Sequence, residues 1–66
     1  MLGEAEQAHL DHAIYPQALA QAGEPDTRRN RAIAASDYWL FLERGGGTDE
    51  EAVTALARGM RACDAR

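Results

Sequence analysis

Glu6, His9 and His12 are the only residues in this 66-residue chain with a ligand-like spacing. Steps of three along a helix bring all three side chains to neighbouring parts of one face. Glu-x-x-His is also half of a di-iron carboxylate motif. The full site needs a second Glu-x-x-His and two further glutamates, and none stands at a useful spacing. Zinc would need a fourth ligand, or a water held by a further partner. The plain reading leaves Glu6 and His9 solvated and His12 partly buried and hydrogen-bonded, so no metal and no cofactor is predicted. Cys63 is the only cysteine and falls on an apolar stripe, where it reads as a small core residue. Two histidines and one cysteine do not supply a nucleophile, a base and an orienting group, so the chain is not expected to be an enzyme.

The remaining chemistry is that of recognition. Arg28, Arg29 and Arg31 form the only basic cluster. They fall in the first turns of a predicted helix, where the dipole disfavours cations and Asp26 offsets this only in part. Such a cluster is either a solvated helix end paired with Asp26 and Glu24, or the electrostatic half of a site for an anionic or acidic partner. Close by, the run Tyr38-Trp39-Leu40-Phe41-Leu42 holds three of the four aromatic residues. An apolar run that rings a helix on nearly every side must be covered by something. The expected partner-binding residues are therefore Arg28, Arg29, Arg31, Tyr38 and Phe41, with a protein partner and a homodimer or other homo-oligomer as the expected assembly.

These residues need helices to hold them. Fourteen alanines and few β-branched residues predict helix almost throughout. Gly23-Glu24-Pro25-Asp26 and Gly45-Gly46-Gly47 divide the chain into segments of about 4–22, 26–44 and 49–63. Thr48 with Glu51 three residues on is a capping box, and Asp49 and Glu50 suit the positive end of a helix dipole. In the third segment Val53, Leu56, Met60 and Cys63 make one buried stripe, interrupted by Gly59, which marks a close helix crossing or the helix end.

The second segment has two apolar faces. One is an arc of Ala32, Ala35, Tyr38, Trp39 and Leu42 with Ala34 and Phe41 at its margin; the other is Ile33 and Leu40, flanked by Asn30, Asp37 and Arg44. The centre of the arc, Trp39, is expected in the core, and this middle helix is expected to be the hub of the fold. The Ile33–Leu40 stripe is left for a second protomer. The first segment shows Ala8, His12, Tyr15 and Leu19 on one face and Leu10, Ile14 and Ala18 on another, and Pro16 predicts a kink near 12–16 or two short helices meeting there. The expected fold is all-α, a small three-helix assembly in one domain with a Pro-kinked first helix.

Composition narrows the function classes. A net charge of −4 and a pI near 4.9 oppose a general nucleic-acid binder, which needs a basic footprint. All seven basic residues are arginine, which reads as the coding bias of a GC-rich bacterial or phage gene. Neither a signal-peptide pattern nor an apolar run long enough to span a membrane is visible, and a single unpaired cysteine fits a reducing compartment, so a cytoplasmic location is expected. A chain this short buries only about 60% of its unfolded surface, which makes self-association the expected source of extra stability.

Two local resemblances complete the reading. Gly45 to Val53, with Gly45, Gly47, Thr48, Asp49 and Glu50, resembles the calcium loop of the annexin repeat, although the acidic residue that annexins supply from a later loop has no counterpart here. Ordinary loop-and-cap chemistry accounts for that stretch. Asp37 to Leu56, an aromatic-rich helix followed by a glycine turn and Thr-x-x-Glu-Ala-Val-x-x-Leu, resembles the first part of bacterial helix-turn-helix domains. That resemblance implies a second turn at Gly59 and a short recognition helix beyond it. The leading expectation is a small non-enzymatic interaction or regulatory module; the alternative is a reduced helix-turn-helix DNA-binding regulator.

Overall fold

The structure, a computed structural model, describes residues 2–64. It is all helical, with three helical stretches and no strand among the described residues. The first stretch is Glu4–His9, a π-helical segment Leu10–Ile14, and Tyr15–Ala22, running as one helix over residues 4–22. The second helix is Arg28–Glu43 and the third is Asp49–Asp64.

Pro16 does not break the first helix. The backbone keeps right-handed helical angles through Ile14 and Tyr15, and the Tyr15 amide donates to the Leu10 carbonyl five residues back. Where a kink or two short helices are expected, two short α-helical segments meet through this widened turn. One added residue per turn just before the proline relieves the clash between its ring and the preceding turn. Gln17 donates from its side chain to the Ala13 carbonyl in the same stretch (2.8 Å). The buried stripe is Leu10, Ile14 and Ala18 together with Tyr15, while Ala8 and His12 are exposed.

Each boundary has a chemical cause. Gly23 ends the first helix at φ 68, a left-handed conformation that only glycine adopts without a Cβ penalty. The Glu24 amide then reaches the Leu19 carbonyl at 3.0 Å. The second helix starts at Arg28 rather than at Asp26, because Thr27 is its cap and accepts from the Asn30 amide at 3.0 Å. Asn30 is buried and its side chain donates to Glu24 Oε1 and to the Pro25 carbonyl, which closes the connecting loop on itself. At the third helix Thr48 Oγ1 accepts from the Glu51 amide at 3.1 Å, and Glu51 Oε1 accepts from the Thr48 amide at 2.9 Å. The capping box is complete.

The hub of the fold is the third helix, not the second. The C-terminal half of the first helix and the second helix each lie chiefly against it. It buries Ala52, Val53, Leu56, Ala57 and Met60, with Leu56 and Met60 fully enclosed. Alanines on its flanks allow two neighbours to approach closely, which the aromatic-laden second helix cannot offer. It also runs unbroken through Gly59 to Asp64, so the second turn that the helix-turn-helix pattern requires there is absent.

On the second helix the buried line is Asn30, Ala34 and Tyr38, at steps of four. Tyr38 is buried and Trp39 is 38% exposed, the reverse of the sequence expectation; Ala32 is exposed as well. Tyr38 stacks on half-buried Phe41, ring centroids 6.2 Å apart and 14° from parallel. The hydrophobic arc was read around its largest member. Its true centre lies about one residue earlier, where small Ala34 lets the third helix come near.

Tyr38→Ala should therefore lower stability by about 3–5 kcal/mol, as for a buried aromatic, whereas Trp39→Ala should leave the chain folded; chemical denaturation followed by circular dichroism checks both. Thr48→Ala should cost about 1 kcal/mol while Thr48→Asp costs little, because aspartate still accepts the first-turn amide. Equal, large losses in both Thr48 variants would show that this residue does something other than capping.

Candidate protein-interaction surface

The three arginines do not form one patch. Arg29 donates to the Cys63 carbonyl at 3.0 Å, a cation on the negative end of the third helix. Arg31 pairs with Asp26 at 3.4 Å, both groups well exposed. Arg28 is exposed, and neither ion pair among the described residues involves it. Arg61 plays the same part as Arg29 at the end of the first helix, donating to the Gln21 carbonyl at 2.7 Å. Of the expected partner-binding residues, then, Arg29 and Arg31 are engaged within the chain, Tyr38 lies in the core, and Phe41 is half-buried beside it.

Glu6, His9 and His12 are likewise turned to separate tasks. Glu6 accepts from the Gly3 amide at 2.9 Å. His9 Nε2 lies 2.9 Å from Asp49 Oδ1, tying the first helix to the start of the third. His12 is exposed rather than partly buried. Among the described residues no group of three metal-ligating side chains converges. Tyr15 ties the same helix to the first loop, its hydroxyl donating to Asp26 at 2.8 Å. Burial and that bond push the Tyr15 hydroxyl up to about 12.

What remains exposed and apolar lies on the two flanks of the second helix. On one, Trp39 stands beside Leu2, Gln7, Ala35 and Ser36 around a cleft of about 270 Å³. On the other, two clefts of about 280 and 500 Å³ run along the junction with the third helix. Leu40, Phe41 and Arg44 line the first of these, Ala32 and Ile33 the second, and Asp37 belongs to both. The floor comes from Ala55, Gly59 and Ala62 of the third helix.

Asp37 is the unusual residue of this groove. Its carboxylate lies over Gly59 so closely that a methyl group there would overlap it and the carboxylate would have to turn aside. Neither ion pair among the described residues involves Asp37, and burial alone pushes its carboxyl up. Periodicity had placed Asp37 and Arg44 as polar flanks of the Ile33–Leu40 stripe. That the carboxylate is half-buried and unpaired depends on the glycine crossing, which sequence alone leaves undecided.

Comparison with protein-family models, with curated proteins and with solved structures finds no match to this chain. Among the described residues no helix is long and apolar enough to cross a membrane.

The raised Asp37 carboxyl has a definite sign for stability. The folded chain holds this proton to higher pH than the unfolded chain does. The penalty is absent below the ordinary aspartate value and grows as pH rises through the interval above it. Asp37→Asn should thus raise stability at about pH 7 and change it little at about pH 3, where the carboxyl is protonated in both states. Thermal denaturation of the two proteins across this range provides the check; a variant less stable at neutral pH would show that the carboxylate is supported inside the fold.

Proposed function

We propose that this chain is a small non-enzymatic interaction module, regulatory or adaptor in kind, that binds a protein through the groove between its second and third helices. The observation that carries this reading is the groove itself: Leu40, 37% exposed, beside a half-buried carboxylate that neither ion pair among the described residues engages. A large apolar side chain on the surface and an unpaired, partly desolvated charge each weaken a free-standing fold. Both are relieved when a partner covers the apolar patch and brings a cation to Asp37. The aromatic run contributes to the binding surface through Leu40 and Phe41 rather than through Tyr38.

The helix-turn-helix alternative has less support. The third helix opens with Asp49, Glu50 and Glu51, which would face phosphate with negative charge, and it has no second turn.

The test places a charge at the centre of the groove. Leu40→Glu should keep the native helical circular dichroism, since the side chain is already partly in water. It should abolish retention of the native chain's protein partner in affinity capture. Replacing Arg28, Arg29 and Arg31 together by Gln should leave that retention largely in place, because two of the three are engaged within the chain. Undiminished capture by Leu40→Glu overturns the reading.

A further inference from the structure

We propose that the occupant of this groove is a second copy of the same chain, with the two second helices antiparallel about a two-fold axis so that Asp37 of each copy meets Arg44 of the other. The inference rests on the interaction surface proposed above and names its partner.

The first support is the order of residues along one seam. Asp37, Leu40 and Arg44 recur at steps of three and four, the spacing that keeps side chains on a single line of contact between paired helices. Leu40, Asp37 and Arg44 line one cleft in the structure, with Ile33 in the adjoining one.

The second support is charge complementarity of a self-matching kind. The seam carries on one side of Leu40 an anion that neither ion pair among the described residues engages, and an exposed cation on the other. Asp37 and Arg44 are separated by roughly 10 Å of helix rise. A two-fold axis crossing the second helix between Leu40 and Phe41 sets position 37 of one copy against position 44 of the other, twice. It brings the Leu40 and Phe41 side chains of both copies together in the middle. Two-fold interfaces require such a patch, in which each surface is its own complement. A parallel pairing in register would instead set Asp37 against Asp37 and Arg44 against Arg44.

The third support is steric. The third-helix residue in the cleft with Asp37, Leu40 and Arg44 is Ala55, small enough for another helix to seat against it without displacing a bulky group. The area available is modest. A standard interface takes roughly 800 Å² from each partner, a large share of the 4413 Å² of surface this chain exposes. A reversible dimer at micromolar concentration is the expected form.

Charge reversal tests the pairing. Sedimentation equilibrium of the native chain should show a dimer. Arg44→Glu, at an exposed position, and Asp37→Lys should each weaken it by about tenfold or more, since each places like charges opposite one another twice. The double variant Asp37→Lys/Arg44→Glu should regain most of the lost affinity, because the pairs are re-formed with their signs exchanged. Asp37→Asn separates this role from a structural one: it should make the fold more stable at neutral pH while weakening the dimer. Circular dichroism confirms that each variant is folded, and Arg44→Glu carries the test if Asp37→Lys does not fold. A native chain that remains monomeric at high concentration overturns the inference, as does a double variant no better than its parents. If the chain is monomeric but Leu40→Glu still loses a captured protein, self-pairing is refuted and the groove stands as the site of another partner.

Discussion

Two helices must lie on one, and the third helix meets that demand with small side chains. Leu56 and Met60 fill the space between its neighbours, while Ala52 and Ala57, both buried, keep the helix narrow enough for the first and second helices to approach from different sides. Gly59 takes the same economy to its limit, leaving no side chain at all where the second helix crosses. Interiors pack at crystal-like density, so the placement of these small residues decides which faces of the other two helices turn inward. The burial of Tyr38, the exposure of Trp39 and the position of Asp37 all follow from it.

Beside the local caps, three helix ends also receive side chains from elsewhere in the chain. Arg29 and Arg61 each donate to a carbonyl near the C-terminus of a different helix, and His9 bonds to Asp49 at the start of the third. These contacts join segments far apart in sequence, and the two arginines sit where the helix dipole favours a cation. Individually they are exposed and weak. Tyr15 on Asp26 and Asn30 on the Pro25 carbonyl add partly buried bonds at the first loop. Arginines that seemed to be spare recognition groups on the sequence are in part devices for closing the fold.

Asp37 stands against this pattern of local agreement. Its carboxylate is half-buried beside Gly59, and neither ion pair among the described residues involves it. Sequences that specify one structure are consistent across levels, and the places where they break that consistency tend to be functional. The groove around Asp37, lined by Leu40 and Phe41, is where the proposed partner would sit.

Most local signals are legible in the sequence, the Thr27 cap of the second helix excepted. Helix content, the break at Gly23, the Thr48–Glu51 cap and the stripe of Val53, Leu56 and Met60 depend on interactions within a few residues, and all are found in the structure. The Ile33–Leu40 stripe and its polar flanks were legible as a second face for the same reason. Which face turned inward was not. Periodicity fixes the angles between side chains on a helix but not the rotation of the helix about its own axis, so Trp39 and Tyr38 exchanged places when the third helix docked on Ala34. The proline's effect was also decided beyond its immediate neighbours, because a widened turn over Leu10–Ile14 kept the helix intact. The division of Arg28, Arg29 and Arg31, and the desolvation of Asp37 over Gly59, arise from contacts between residues some twenty to thirty-five positions apart. Only the tertiary structure brings those residues together, since no local preference of the chain encodes how close two helices will come.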